Sequence, residues 1–440
     1  MIWTWILATV INSLNISPNK TQPPNITISR KPIVNRNLNL LLGGQLISQI
    51  GDKFHMLAVA FMVLKTTGSP AKMGIVLFCS VFPGMLLGFI SGAFLDRYSR
   101  KTIIVGADVV RGLIVSGVCL LYYVNALSFV VLLAAQLMLS VCTAFFDPAI
   151  PAIIPQIVKR AQLTRANSQT QFISGISTII GPMLGGLTVA WGGYLTVFII
   201  NAGSYLFSAA FESFIRIPPR DHKTSGKTKL VDDIIAGCRY VWQTKGLMMI
   251  LVMVGVIHFF VGSIEAIVPV LAVDLKGGGA QNIGFIQTSF GLGTVLAALL
   301  ISIRSINNRE VAFLFGSVFL IGLNLVLISG MHISGVRVIM PFLMFFLFIG
   351  GCIIFAGTSF RSILQKEVED MMLGRVFGFV SSVGNISIPV AILICGFLLE
   401  YLPHHVILGI SGIILMPTGI LAYHRYTAAM SGQQQREPII

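Results

Sequence analysis

Twelve long runs of apolar residues follow one another along this chain and leave it few ways to fold. A helix needs about 20 apolar residues to cross a hydrocarbon layer about 30 Å thick. The pattern therefore predicts an all-α membrane protein with twelve transmembrane helices. The runs cover roughly residues 38–64, 73–95, 102–124, 128–148, 165–190, 192–215, 247–272, 281–303, 311–330, 337–358, 376–401 and 405–425.

The overall composition excludes a soluble protein. Of the 440 residues, 55% are apolar and only 10% are charged, and the mean hydropathy is +0.87. Such a chain has too few polar side chains to cover a surface in water. The six cysteines form no CxxC pair and have no histidine at ligand spacing, so we predict no disulfide, no metal site and no cofactor.

The basic residues predict the orientation of the protein. The net charge is +14, and if the first span runs outward, 24 lysines and arginines lie on the inner side against 4 on the outer side. The positive-inside rule then predicts a multi-pass protein of the plasma membrane with both termini in the cytoplasm. Because this asymmetry accounts for the basic balance, it indicates no nucleic-acid partner.

The spans divide into two sets of six, separated by a polar stretch. Two equal halves of this kind are typical of transporters in which the substrate binds between the halves near the middle of the membrane. A weak internal repeat agrees, because Gly181-Pro182 is predicted to break the fifth span and Pro389 the eleventh. The predicted divisions are an N-terminal cytoplasmic or interfacial segment (1–36), two six-helix bundles (37–215 and 247–426), a cytoplasmic linker (216–246) and a tail (427–440).

A charged motif lies in the short inner turn between the second and third spans. It reads Gly92-x-x-x-Asp96-Arg97-x-x-Arg100-Lys101. Gly92 allows two helices to approach closely, and Asp96 can accept hydrogen bonds from a helix N-terminus and hold an inner gate closed. The alternative is that the basic residues only bind lipid headgroups.

Two further charges, in the third span, are predicted to pair. Asp108 and Arg111 stand at i, i+3 spacing, which places them on one face of a helix. We expect a structural or gating ion pair near the inner mouth.

The fifth span carries a motif of small residues, Ser177-x-x-x-Gly181-Pro182-x-x-Gly185-Gly186. Small residues let helices pack backbone to backbone, and a proline frees a carbonyl group and kinks the span. The motif favours a pliant helix that can seal one side of a transporter. Ordinary helix packing is the alternative.

These motifs resemble those of the major facilitator superfamily, and the second is similar to the antiporter motif of its exporters. The chain resembles the macrolide-efflux and enterobactin-exporter branch over about residues 37–426, which implies two pseudo-symmetric six-helix bundles and a monomer. One departure concerns Gln136, which stands in the fourth span where drug/proton antiporters of another branch carry an arginine. The branch is also indicated by segments 44–52, 67–70, 147–149, 163–167 and 374–378.

Ionisable residues within the spans are candidates for proton coupling or substrate contact, because burying them without a partner or water is costly. Asp52 in the first span is the first candidate, with a salt bridge or a helix cap as its alternative role. His258 and Glu265 in the seventh span are seven residues apart on about the same helical face and could relay protons. Packing of His258 as a hydrogen-bond donor is its alternative.

The sequence as a whole predicts a secondary exporter of an amphiphilic small molecule, such as a drug, a macrolide-like compound or a siderophore. We expect proton antiport by alternating access, with protons and membrane lipid as the other partners. No nucleotide-binding loop or hydrolase motif stands in the chain, so we predict that it is not an enzyme. A translocator of lysophospholipid or another lipid is the first alternative, and a non-transporting receptor or scaffold is the second.

Overall fold

The computed structural model describes residues 35–217, 238–277, 279–304 and 309–434. In these ranges, eleven helices are long and apolar enough to cross a membrane. We label the helix segments α1 to α12, and α5 (163–192) and α6 (194–213) are the two arms of one long helix, Leu163–Ser213. The others are α1 (Arg36–Thr67), α2 (Pro70–Arg97), α3 (Arg100–Tyr123), α4 (Phe129–Ile157), α7 (Lys245–Asp274), α8 (Ala280–Ile303), α9 (Glu310–Ile333), α10 (Ile339–Glu367), α11 (Asp370–Tyr401) and α12 (His404–Gln434).

The long helix Leu163–Ser213 crosses the membrane twice because its backbone turns at Gly193. Gly193 has φ 70° and ψ −177°, a conformation that favours glycine. On either side of it, Gly181 packs on Lys53 and Ser204 packs on Gly51, so both arms lie beside the same turn of α1. A straight helix would separate residues 181 and 204 by more than 30 Å. The described chain therefore makes twelve crossings, which confirms the predicted fold class.

The helices run through their prolines, and the predicted breaks at Gly181-Pro182 and Pro389 are wrong. α5 continues past Pro182 and α11 past Pro389, while α4 contains three prolines. A proline removes one backbone donor and is tolerated in a membrane helix where neighbouring groups compensate. The helix-breaking conformation lies instead at Gly193, which no proline marks.

Local sequence explains where α1 begins and ends. The side chain of Asn35 caps its first turn by accepting a hydrogen bond from the backbone N–H of Asn37 at 3.0 Å. Gly68, with φ 67°, ends the helix in the left-handed conformation, and its N–H donates to the carbonyl oxygen of Leu64 at 2.9 Å. The chain then reverses directly into α2.

The two halves, α1–α6 and α7–α12, contact each other along two helix pairs. Where α2 crosses α11, a Cβ on Gly74 would lie 3.0 Å from the Cα atom of Gly396. Where α5 crosses α8, a Cβ on Gly284 would lie 2.7 Å from the carbonyl oxygen of Pro182. Both contacts rely on the absence of a side chain, so the helices approach at backbone distance.

A carboxylate reinforces one of these contacts near the helix ends. Glu400, in the last turn of α11, accepts a hydrogen bond from the Ser69 hydroxyl and another from the backbone N–H of Ala71 at 3.1 Å. It thereby caps the N-terminus of α2 from the opposite half. We call this end of the molecule, near residues 68–70 and 400–404, the predicted outer end, and the end near residues 97–100 and 367–370 the predicted inner end.

Several of the predicted divisions fall on parts of the chain outside the described residues. The segment 1–34, most of the linker (218–237) and the last residues of the tail (435–440) lie there. The boundaries assigned to these divisions remain predictions.

Candidate functional site

A cavity lies between the two halves, and its lining is mainly apolar. α1, α2 and α5 supply it from the N-terminal half, and α7, α8 and α10 supply it from the C-terminal half. Its lining residues are Lys53, Met56, Leu57, Ala60, Leu77, Thr178, Pro182, Val261, Ile264, Glu265, Val268, Pro269, Ile283, Ile286, Gln287, Phe290 and Phe346.

Two opposite charges face this cavity from different halves. Lys53 on α1 and Glu265 on α7 are both exposed, and the positive charge of Lys53 attracts the carboxylate of Glu265 across the cavity. Thr178 and Gln287 add polar atoms to the lining. A few convergent polar groups on an apolar lining are typical of a binding site for a small molecule.

Asp52 contacts α6, whereas its neighbour Lys53 lines the cavity. The carboxylate of Asp52 accepts a hydrogen bond from the hydroxyl of Tyr205 on α6. Consecutive residues of a helix project about 100° apart, so the two charges face different neighbours. Asp52 therefore joins α1 to α6 in the interior of the N-terminal half.

The predicted pair Asp108 and Arg111 forms in that interior. Its N–O distance is 3.2 Å, and the two side chains are 0% and 2% exposed. The Arg111 guanidinium also donates to the Thr143 hydroxyl at 3.1 Å and lies 4.3 Å from the centre of the Phe146 ring. The pair thus joins α3 to α4 inside the half, and its gating role remains a prediction.

A further buried carboxylate, Glu212 on α6, was not among the predicted residues. Its side chain is fully buried, and neither carboxylate oxygen has a hydrogen-bond partner. It lies within Coulombic range of Asp108 and Arg111. Glu212 could have been found from the sequence, because it is an acidic residue in an apolar span, as Asp52 is.

A second polar group that the sequence analysis missed surrounds Gln136 on α4. Its amide nitrogen lies 3.0 Å from Nε2 of the buried His55 on α1, and its oxygen accepts a hydrogen bond from Ser80 on α2 at 3.1 Å. Gln136, the polar residue of the span that lacks an arginine, thus links three helices of the N-terminal half.

The small-residue motif of α5 packs against helices from both halves. A Cβ on Gly181 would lie 2.6 Å from Cβ of Lys53, and one on Gly185 would lie 3.1 Å from Cα of Phe54. Gly186 contacts the carbonyl oxygen of Ala280 on α8. Ser177 is buried, and Pro182 lines the cavity.

The structure describes only part of the charged motif. The side chains of Asp96 and Arg97 and the packing of Gly92 lie outside what the structure describes, although the backbone of α2 is helical to Arg97. The Arg100 guanidinium donates to the carbonyl oxygen of Ala152 at 2.5 Å, which holds α3 against α4. Lys101 is half-buried in the first turn of α3. The gating role of the motif remains a prediction.

The two candidates on α7 have different surroundings. Glu265 lines the cavity, whereas His258 donates from Nδ1 to the carbonyl oxygen of Val254 at 2.8 Å and packs against Gly384 of α11. His258 is not among the residues that line the cavity. This geometry agrees with the alternative role of His258, a packed hydrogen-bond donor. The proton relay between His258 and Glu265 remains a prediction.

The sequence matches the family described as transmembrane secretion effector, within the major facilitator superfamily, over residues 29–437. Macrolide efflux protein A of Streptococcus pyogenes is 24% identical over 360 residues, which cover 80% of this chain and 86% of that protein. Multidrug efflux pump Tap of Mycobacterium tuberculosis is 23% identical over 391 residues, which cover 87% and 92%.

Solved structures share the fold. The nucleoside transporter NupG has a TM-score of 0.71 at 11% identity, with 90% of this chain and 100% of that chain covered. A bacterial homologue of the iron transporter ferroportin, solved in its inward-facing state, has a TM-score of 0.66 at 15% identity, with coverage of 90% and 99%.

Proposed function

Because this chain belongs to the transmembrane secretion effector family of the major facilitator superfamily, we propose that it exports amphiphilic small molecules in exchange for protons. It is a multi-pass membrane efflux transporter, and the substrate class, the coupling ion and the transport cycle are the proposal. The observation that carries it is the apolar cavity between the halves, lined by Lys53 from one half and Glu265 from the other.

The lining supports an amphiphilic substrate. Apolar side chains from both halves can bury the hydrophobic body of a drug-like molecule, and Lys53 or Glu265 can bind a polar or charged end. The names of the relatives, which refer to macrolides and to multiple drugs, agree with large lipophilic substrates.

The position of Glu265 supports proton exchange. Among the described residues that line the cavity, it is the only carboxylate. A charged carboxylate is costly within the hydrocarbon region, so a proton and a cationic or polar substrate can compete to stabilise it. Asp52, held by Tyr205, offers a second carboxylate on the adjacent face of α1.

The contacts between the halves support alternating access. In α5 and α11, the glycines in tight contact with the other half, Gly186 and Gly396, lie towards the predicted outer end. Gly175 and Gly378 of the same two helices lie towards the predicted inner end, and a Cβ on either would meet nothing within 4 Å. This arrangement matches a state closed outside and open inside, and export requires that the outer contacts separate.

The test is proton release from energised inside-out vesicles that contain the protein. A macrolide, a lipophilic cation, a catechol siderophore and a lysophospholipid are added in turn. We expect one of the first three classes to release protons, and we expect Glu265→Gln and Asp52→Asn to reduce the release at least tenfold because each removes a carboxylate proposed to exchange protons.

Glu369→Gln is the matched control, because Glu369 is an exposed carboxylate near the predicted inner end whose side chain forms no cap hydrogen bond. It should leave proton release unchanged. Full release in both Glu265→Gln and Asp52→Asn would refute proton exchange by these residues. Transport of lysophospholipid without proton movement would instead establish a lipid translocator.

A further inference from the structure

Three histidines from distant parts of the sequence meet at the predicted outer end of the C-terminal half. His332 lies in the last turn of α9, and His404 and His405 lie in the first turn of α12. One ring nitrogen of each lies within 4.8 Å of one ring nitrogen of the other two. His332 and His404 are buried, with 4% and 5% of their surfaces exposed. The sequence analysis missed this group because 72 positions separate its two parts.

The nearest nitrogens in the group have the spacing of metal ligands. Nε2 of His404 lies 3.4 Å from Nδ1 of His332. Two nitrogens bound to one tetrahedral Zn²⁺ at about 2.0–2.1 Å are about 3.3 Å apart. His405 supplies a third ring, and its buried Nδ1 has no hydrogen-bond partner. The group therefore offers two nitrogens at ligand spacing and a third ring with an unpartnered nitrogen.

A carboxylate faces the opposite edges of two of these rings. Oδ2 of Asp274, the last residue of α7, lies 3.5 Å from Nδ1 of His404 and 3.8 Å from Nε2 of His332. These are the nitrogens that face away from the close pair. Metal-bound histidines commonly direct their second nitrogen to a carboxylate, which fixes the tautomer and strengthens the ligand.

From this geometry we propose that His332, His404 and His405 bind a divalent transition metal, with Zn²⁺ as the best match, and that Asp274 orients the ligands. Imidazole nitrogen suits zinc and the neighbouring late first-row metals better than calcium or magnesium. The Asp274 side chain is 47% exposed, so the site can exchange metal with solution.

The surrounding charges allow a cation here. Arg337 is a basic residue beside the group, and its guanidinium donates to the carbonyl oxygen of His332 at 2.7 Å. The carboxylate of Asp274, 3.5 Å from His404, supplies a negative charge that favours a bound cation. Because its ligands come from α9 and α12 and their supporting carboxylate from α7, the metal fastens three helices of one half together.

The test measures Zn²⁺ binding to the full chain in detergent, purified through a tag without histidine and stripped with a chelator. Calorimetry and metal analysis should give one Zn²⁺ per chain, and Zn²⁺ should raise the thermal unfolding temperature. We expect His332→Ala and the double variant His404→Ala/His405→Ala to bind Zn²⁺ at least tenfold more weakly. Asp274→Asn should weaken binding by roughly 10–100-fold.

His424→Ala is the matched control, since His424 is an exposed histidine of α12 outside the group. It should bind Zn²⁺ as the unchanged protein does. If a variant does not fold, the absorption spectrum of Co²⁺ bound to the unchanged protein tests the site instead. Strong tetrahedral d–d absorption supports the site, whereas a weak octahedral spectrum, or equal Zn²⁺ affinity in the folded His332→Ala variant, refutes it.

Discussion

Arg111 balances more than one acid within the N-terminal half. It forms an ion pair with Asp108 at 3.2 Å and lies within Coulombic range of Glu212, whose two carboxylate oxygens have no hydrogen-bond partner. A buried ion pair adds little net stability compared with apolar residues of the same size, but removing one partner leaves an uncompensated charge. The contribution of Arg111 to the stability of the protein therefore depends on the acids around it.

We expect Arg111→Leu to destabilise the protein by about 3–5 kcal/mol, because a buried carboxylate loses its cation. The double variant Arg111→Leu/Asp108→Leu should be more stable than Arg111→Leu alone, because it removes both members of the pair. Denaturant unfolding in detergent measures the difference. Equal losses in the single and double variants would contradict the assigned charge balance.

Individual candidate residues could be found from the sequence, but the direction in which each side chain points could not. An ionisable residue within an apolar run can be read directly from the sequence. This signal identified Asp52 and Glu265 and could have identified Glu212. That Lys53 lines the cavity while Asp52 contacts Tyr205 depends on which helices surround α1. This information is tertiary, and no local pattern in α1 encodes it.

At the scale of elements, α5 is one of two N-terminal helices that both line the cavity and pack closely against the other half. Its glycines contact α1 within its own half and α8 in the other, so its motif packs against helices of both halves. The helix boundaries were predicted to within a few residues for most spans. α4, α10 and α12 extend well beyond the predicted ends at 148, 358 and 425, because the helix continues through prolines and polar residues that end the apolar run.

Gly186→Val should separate α5 from α8, because its side chain would collide with the carbonyl oxygen of Ala280. We expect normal expression, at least a tenfold loss of transport and faster thiol labelling of a cysteine placed at Ser69 at the predicted outer end. Gly175→Val is the control on the same helix, since a Cβ there meets nothing within 4 Å. Equal transport in the two variants would mean that this contact has no part in the cycle.

At the scale of the whole molecule, the number of crossings followed from hydropathy alone, whereas the pairing of helices between the halves did not. Apolar periodicity predicts that a helix spans the membrane, but lipid and helix interiors are both apolar, so it does not identify the neighbour. The close approach of Gly74 to Gly396 and the meeting of three histidines appear only in three dimensions.

Cross-linking tests whether the two halves must separate at the predicted outer end. Ser69, directly before α2, donates a hydrogen bond to Glu400 of α11, so cysteines at both positions in a chain without its native cysteines can be joined by a short thiol-reactive linker. We expect the cross-link to abolish transport, because the proposed cycle opens the outer contacts for export. A cleavable linker should restore transport on reduction.

The matching control joins α2 to α4 within one half through cysteines at Ser80 and Gln136, whose side chains are hydrogen-bonded at 3.1 Å. Helices of one half move together in alternating access, so this cross-link should change transport much less than the first. If the cross-link between the halves left transport intact, the outer contacts would be permanent and the substrate would have to leave by another route. If only the Ser69–Glu400 cross-link abolished transport, export would require a movement of one half against the other.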